Sequence, residues 1–294
     1  MLDPKVTTLL TLDRTGSFTK AAQELNLTQP AVSNHIRLLE KEFGVQIFKR
    51  GKRQLIPTEE GQILIKYARR LTAVYNSARQ AVEDCHKRAK HLNIGITQTA
   101  GEMLMPKVMA MYCNEHPHVH INIQTDTIKN LYRRLELYEL DMAIVEGILP
   151  SHNLESVLLD TDYLCLIVAP THPFAQHGRV QLEELKNEKL ILRPVGAGTR
   201  ALFETCLHSH LETIRNFNVI MELDNISMIK DLVASNLGVS IMAHSACIQE
   251  IRQNRLVGVQ IADTSMMREI HMVVQKDFAH ADVLEDFKRI YNSL

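Results

Sequence analysis

The sequence predicts an α+β multidomain chain: a winged helix-turn-helix at the N-terminus, one long helix, and a C-terminal two-lobed α/β domain. Three observations carry this. Short helical patterns fill the first sixty positions and are followed by one basic, glycine-centred hairpin signal. A run of apolar residues at heptad spacing then extends from Leu64 to Cys85. Beyond His91 strand and helix patterns alternate, and the same order of elements comes round twice.

Bulk properties narrow the function. A chain of 294 residues can hold two or three domains, and 45% hydrophobic with 23% charged residues is ordinary for a globular protein. No apolar run reaches the ~18 residues a membrane span needs, so no membrane partner is expected. The opening "MLDPKVTTLL" lacks the basic start and apolar core of a signal peptide. The five cysteines (85, 113, 165, 206 and 247) are irregularly spaced without a CxxC pair, which points to a reducing cytoplasm and away from structural zinc. Net charge is −1, yet residues 1–90 carry 16 Lys+Arg against 9 Asp+Glu and the remainder 17 against 25. A basic front on an acidic back suits a polyanion bound at one end.

In chain order, "PKVTTLLTLDRTG" turns Val6, Leu9, Leu10 and Asp13 to one side and stops at Gly16. "SFTKAAQELN" starts at a capping Ser17 and presents Phe18, Ala21, Ala22 and Leu25; the paired alanines let another helix cross closely. The short link "NLT" leads into "TQPAVSNHIRLLEKEFG", where Val32, Ile36, Leu39 and Phe43 form the inward stripe. Thr28 is its N-cap, Pro30 lies in the first turn and Gly44 ends it. Two helices joined by so short a turn form a helix-turn-helix. The opposite face offers Gln29, Ser33, Asn34 and Arg37, side chains of the kind that read base edges and grip phosphate. Ile47 and Phe48 anchor a strand, and four of the five residues Lys49–Arg53 are cationic around Gly51. Beside a recognition helix, such a hairpin is a wing over the sugar-phosphate backbone. Thr58 caps the long helix, with Glu59 and Glu60 at its positive end. Leu64, Ala68, Leu71, Tyr75, Ala78, Val82 and Cys85 follow as a coiled-coil seam that a second copy would cover.

The stretch "SFTKAAQELNLTQPAVSNHIRLLEKEFGVQIFKRGKRQLIPTEEGQILI" resembles the N-terminal region of LysR-type transcriptional regulators. The resemblance implies a dimerising linker helix and a periplasmic-binding-protein-like effector domain. It implies contacts to double-stranded DNA from Thr28, Gln29, Pro30, Ser33, Asn34, Arg37, Arg50 and Arg53, with Asn34 and His35 tuning the operator sequence. Self-association as a homodimer and homotetramer, and RNA polymerase as a further partner, belong to the same expectation.

In the rest of the chain, "HLNIGIT", "VHINIQT" and "DMAIVEG" read as strands alternating with helices in "EMLMPKVMAMYCNEH" and "NLYRRLELY". The order returns in "KLILRP", "TRALFETCLHSHL", "NVIMEL", "SMIKDLVASN" and "GVSIM". "LESVLLDTDYLCLIVAP" crosses between the lobes, and "REIHMVV" returns to the first before the last helix. The expected division is therefore 1–58 for the winged helix-turn-helix, 59–88 for the linker helix and 89–294 for the effector domain. Lobe I takes about 89–161 and 267–294, and lobe II about 162–266.

Ligands of such sheets sit beyond the carboxyl ends of strands, near helix N-termini. The loops there nominate Thr97, Gln98, Thr99, Thr127, Glu146, Arg193, Gly196, Gly198, Thr199, Arg200 and Asn225. "RPVGAGTR" says most: its glycines turn backbone N–H groups toward a guest, Thr199 adds a hydroxyl and two arginines bring charge. Arg200 has Glu204 one turn away as an alternative partner. The effector expected is a small anion or carboxylate, with no cofactor or metal. "ILRPVGAGTR", "AIVEG" and "MELDNISMIKDLV" resemble the LysR-type branch that controls inorganic sulfur and carbon assimilation. No GxSxG, HExxH or dinucleotide GxGxxG stands in a suitable setting, which argues against an enzyme. His116, His118 and His120, and Cys206 with His210, are weak metal candidates. A transporter's solute-binding protein would share the two-lobed domain, but the basic head counts against it.

Overall fold

A computed structural model describes residues 2–51, 55–87, 89–102, 105–147, 151–278 and 281–294. The chain divides into two compact units, 1–91 with 136–139, and 92–135 with 140–294.

In the first unit, α1 (Pro4–Thr15), α2 (Phe18–Glu24) and α3 (Gln29–Phe43) pack round one core. Each begins on the cap its sequence offers: Asp3, Ser17 and Thr28 accept backbone N–H groups of the first turn. Gly16 and Gly44 end α1 and α3 in the left-handed conformation that glycine adopts without strain. Leu9, Leu12, Ala21, Ala22, Val32, Ile36 and Leu39 are buried together. Each large aliphatic side chain among them contributes roughly 1.5–3 kcal/mol. Phe43, expected inward, is instead 53% exposed, because α3 overhangs the core in its last turn.

β1 (Phe48–Arg50) and β2 (Leu55–Pro57) pair antiparallel, Arg50 opposite Leu55, as the two arms of the wing. α4 (Glu59–Lys87) starts where Thr58 ties three segments together. Its hydroxyl bonds the Gln46 carbonyl at 2.6 Å and accepts from Gly61 N–H at 2.9 Å, while its own N–H donates to the Ile47 carbonyl at 2.9 Å. The expected seam is rotated at its start. Leu64, Ile65 and Ala68 pack into the helix-turn-helix core, and Arg69 bonds Asp13 of α1 at 2.8 Å. The apolar stripe left exposed is Ile63, Tyr67, Leu71, Val74 and Val82.

The second unit is built on a mixed sheet. Its strands are β3 (Lys90–Ile96, entered from the first unit), β4 (Val119–Thr125), β5 (Met142–Glu146), β6 (Leu154–Val168), β7 (Arg179–Val180), β10 (Ser240–Ala243), β11 (Val257–Ile261) and β12 (Met267–Gln275), in the order β4-β3-β5-β12-β6-β11-β7 with β10 also on β6. A separate parallel pair is formed by β8 (Leu190–Leu192) and β9 (Val219–Glu222). β6 makes the two-lobed form: Leu154–Tyr163 pair with β12, and Leu164–Val168 pair with β10 and β11. One lobe packs α5 (Gln98–Glu102), α6 (Met105–Glu115), α7 (Ile128–Glu136) and α11 (Ala281–Asn292) on its strands; the other packs α8 (Gly198–Ser209), α9 (Ile226–Ala234) and α10 (Ile248–Arg252). Each lobe has its own buried clusters.

The "QTAG" segment reads as a loop but is helical, because the Thr97 hydroxyl accepts the Ala100 N–H at 3.1 Å and starts a turn there. Likewise Gly198, read as loop, is the first residue of α8. β7, β11 and α10 carried no sequence signal strong enough to be expected. No described helix is long and apolar enough to cross a membrane.

Candidate functional site

Two surfaces carry the nominated residues. On α3 the stripe Val32, Ile36 and Leu39 fixes rotation about the helix axis, so Gln29, Pro30, Ser33, Asn34 and Arg37 are all exposed. Thr28, also exposed, uses its hydroxyl on the Ala31 N–H at 3.3 Å. Arg37 donates to Asn34 Oδ1 at 2.9 Å, which orients the amide and leaves its NH₂ outward. His35 departs from expectation: Nδ1 lies 2.8 Å from the Thr8 hydroxyl of α1, so the half-buried ring braces two helices. Arg50 ends β1, while Arg53 lies outside the described residues.

The second surface lies in the α/β unit, where carboxyl ends of strands from both lobes meet. Thr97, after β3, is buried with its hydroxyl 2.8 Å from both carboxylate oxygens of Glu146, the last residue of β5. Gln98 opens α5 and accepts a bond from Arg193 at 2.6 Å across the two lobes. Arg193, just past β8, is only 6% exposed, and its buried Nε has no hydrogen-bond partner. Burial holds this guanidinium below its ordinary pKa, against the opposing pull of Asp224 and Glu146. Thr99 is buried in α5 and Thr199 in the first turn of α8. Gly198 sits close to α7; a Cβ there would meet Ile128 at 3.7 Å.

The other nominated residues have visible structural duties. Arg200 binds Glu204 at 2.5 Å and lies 3.5 Å from Glu222 and from the Arg193 carbonyl, so it props the loop from beneath. Thr127 and Asn225 are exposed helix caps, accepting N–H groups of Asn130 and Met228. Gly196 has φ +98°, and a Cβ on it would meet nothing within 4 Å, so its need for glycine is conformational.

Two clusters escaped the sequence reading. Lys230 on α9, 7% exposed, reaches Glu250 at 2.9 Å and Glu102 of the other lobe at 3.2 Å. Burial opposes its charge, yet Glu250 and Glu102 outweigh it and raise its pKa. The signal was present: a lysine on the inward stripe Ile226, Ile229, Val233. At the β6–β12 crossing, Asp162 pairs with Arg268 at 2.9 Å and with the Ser245 hydroxyl at 2.8 Å, all buried or nearly so. Among the described residues no group of three or more His, Cys, Asp or Glu side chains could hold a metal. His210 instead binds two backbone carbonyls.

The family models decide what this pair of surfaces belongs to. Residues 5–62 match the model described as "Bacterial regulatory helix-turn-helix protein, lysR family", and residues 86–292 match "LysR substrate binding domain". The chain belongs to the LysR family. It is a LysR-type transcriptional regulator with a DNA-binding head and an effector-binding domain, and not an enzyme. A probable RuBisCO transcriptional regulator of Emiliania huxleyi is 30% identical over 283 residues, 95% of this chain and 90% of that one. An uncharacterized HTH-type transcriptional regulator of Methanocaldococcus jannaschii is 29% identical, covering 97% and 98%. Among solved structures, full-length CbnR complexed with its target DNA aligns with TM-score 0.68 at 17% identity, over 100% of this chain and 99% of that one. Full-length OxyR from Pseudomonas aeruginosa aligns at 0.65 with 19% identity, over 99% and 95%. At those identities the two structures speak for the fold.

Proposed function

We propose that this LysR-type regulator acts in the cytoplasm as a dimer, and as a dimer of dimers, joined through the exposed face of α4. The unpartnered stripe Ile63, Tyr67, Leu71, Val74 and Val82 supports that joint. Two heads then present paired recognition helices to a two-fold operator. Gln29, Ser33 and Asn34 read bases, while Arg37 and the wing arginines 50 and 53 hold phosphate. RNA polymerase is the downstream partner, and the likeness to RuBisCO regulators supports a target in inorganic carbon or sulfur assimilation.

The effector is a small molecule with an anionic group, held between the lobes. The observation that carries this is Arg193, a buried guanidinium with one donor unused. A bound carboxylate or oxyanion supplies the missing acceptor and recovers the desolvation cost of that group. Binding there joins β8 and α8 to α5, and so sets how the two lobes close. Three variants test the reading. Gln29→Ala should relax base preference, whereas Arg50→Ala should weaken all sequences and lower the slope of log K against log salt by roughly 0.9. Arg193→Gln should leave operator binding intact and remove the thermal-shift response to every acidic metabolite. Responses retained in Arg193→Gln refute the anion site.

A further inference from the structure

Arg193 is not the whole of the cleft's chemistry, because an acidic group stands opposite it. Glu146 is buried, at 7% exposure, and is the last residue of β5. It is bonded to Thr97, and Arg193 is bonded to the next residue, Gln98, so the two flank one turn; among the described residues neither has an ion-pair partner. Asp224, which pulls on Arg193 more strongly than Glu146 does, is exposed to solvent and forms no ion pair with it, while two cations of this unit are already used by other acids. Arg268 is held by Asp162, and Lys230 is held by Glu102 and Glu250.

Hydrogen bonding shows the same shortage. An ionised carboxylate offers about four acceptor sites. Glu146 receives one hydroxyl hydrogen, from Thr97, whose oxygen stands 2.8 Å from both of its oxygens. That hydroxyl is itself fixed, since it also accepts the Ala100 N–H. Arg193 has the converse want, a buried N–H without an acceptor. A buried cation short of an acceptor and a buried anion short of a donor, close but unjoined, describe a site for a guest that bridges them.

Resting on the reading of Arg193 as the anion site, we propose that the effector is amphoteric: it carries an anionic group for Arg193 and, a few bonds away, an ammonium or hydroxyl donor for Glu146. Glu146 is the specificity residue. It rejects guests that are acceptors throughout, such as bare sulfate or a dicarboxylate, by setting a second negative charge beside a buried carboxylate. An amino acid or a hydroxy acid satisfies both ends. An ammonium is favoured over a hydroxyl because it also neutralises the carboxylate.

The test is isothermal titration of the full-length protein with four probes: sulfate, succinate, L-serine and glycerate. The wild type should bind L-serine or glycerate at least about tenfold more tightly than sulfate or succinate. Glu146→Gln should invert this, gaining sulfate or succinate binding while losing at least about tenfold toward the amphoteric probe. The ratio of L-serine to glycerate affinity identifies the donor. Arg193→Gln should lose all four. Sulfate or succinate binding the wild type as tightly as the amphoteric probes overturns the role of Glu146, as does an unchanged order in Glu146→Gln. Binding of neither amphoteric probe to the wild type also overturns it. Failure of the underlying anion site looks different: Arg193→Gln would keep whatever the wild type binds.

Discussion

Gly61→Ala sets two physical rules against each other at the joint between wing and linker helix. Gly61 is in the first turn of α4, and helix propensity alone makes alanine better there by about 1 kcal/mol. The packing says the reverse. A Cβ on Gly61 would lie 2.0 Å from the carbonyl oxygen of Ile47 and 3.1 Å from the Thr58 hydroxyl. The first contact is with backbone, which cannot rotate aside as a side chain can. Ile47 must therefore move away from α4 by more than an ångström, and that movement breaks the knot Thr58 makes. At risk are the Thr58 N–H bond to the Ile47 carbonyl and the cap on the Gly61 N–H. A backbone bond is worth about 1 kcal/mol net and a cap about 1 kcal/mol. Forced overpacking adds roughly 1–3 kcal/mol. Against the gain in propensity, the net is destabilisation of about 2–4 kcal/mol.

The full chain has more than one folding unit, so a local measurement is the right assay. Hydrogen exchange of the amides in α1, α3 and β1 reports opening of the head. At 1.4 kcal/mol per factor of ten, the Gly61→Ala variant should exchange there roughly 30-fold to several-hundred-fold faster, while the α/β unit stays unchanged. Operator affinity should fall with it, because the wing is hung from the same joint. Unchanged or slower exchange in the head would refute the reasoning and show that the approach of Ile47 to α4 is not obligatory.

Two further outcomes follow from the geometry. The His210 ring has Nδ1 2.9 Å from the Cys206 carbonyl and Nε2 3.0 Å from the Asp263 carbonyl, both acceptors, so both nitrogens must carry hydrogen for the pair to form. These bonds raise its pKa, Cys206 first. The stabilisation is then full below the unfolded pKa of about 6.5 and is lost as pH rises through the folded value; an NMR titration placing the ring at or below that unfolded value would be contrary. Arg200→Met should cost roughly 1–2 kcal/mol, since Glu204 is 30% exposed and can be rehydrated, and it should slow neither effector binding nor release. Calorimetric unfolding and a titration read together decide that, and loss of binding without loss of stability would make Arg200 a ligand-holding group.

Much of the head was legible because its cues are local. Caps at Ser17, Thr28 and Thr58, and glycine stops at 16 and 44, act within one helical turn, and all are realised. The α4 seam was misplaced at its start for a non-local reason. Heptad spacing shows that a helix has an apolar side, but Ile65 and Ala68 are spoken for by α1 and α3 before any second copy arrives. Phe43 fails similarly: periodicity runs on to Gly44, whereas the core beneath it stops at Leu39. In the α/β unit, strands buried on both faces were plain from their apolar runs, while β7 and β11 owe their form to pairing with each other and with β6.

The two arginines of "RPVGAGTR" show where pattern reading ends and geometry begins. Both were nominated on charge and on proximity to a helix start, and both prove equally buried, at 6% and 5%. Sequence offered one distinction, that Arg200 has Glu204 a turn away, and that pair is made. What separates them is a matching of donors to acceptors that only coordinates allow. Arg200 directs its guanidinium at Glu204, Glu222 and the backbone of Arg193, so its charge is answered from within its own lobe. Arg193 gives one donor to Gln98 of the other lobe and leaves Nε bare. A buried donor left unmade costs about 1–3 kcal/mol, and nothing else in the fold needs Nε to be bare. A ligand that supplies the acceptor removes that cost only when β8 and α5 are near enough for both to touch it. Affinity at Arg193 and closure of the lobes are therefore one free energy, and any variant that weakens the Gln98 bond must shift both together.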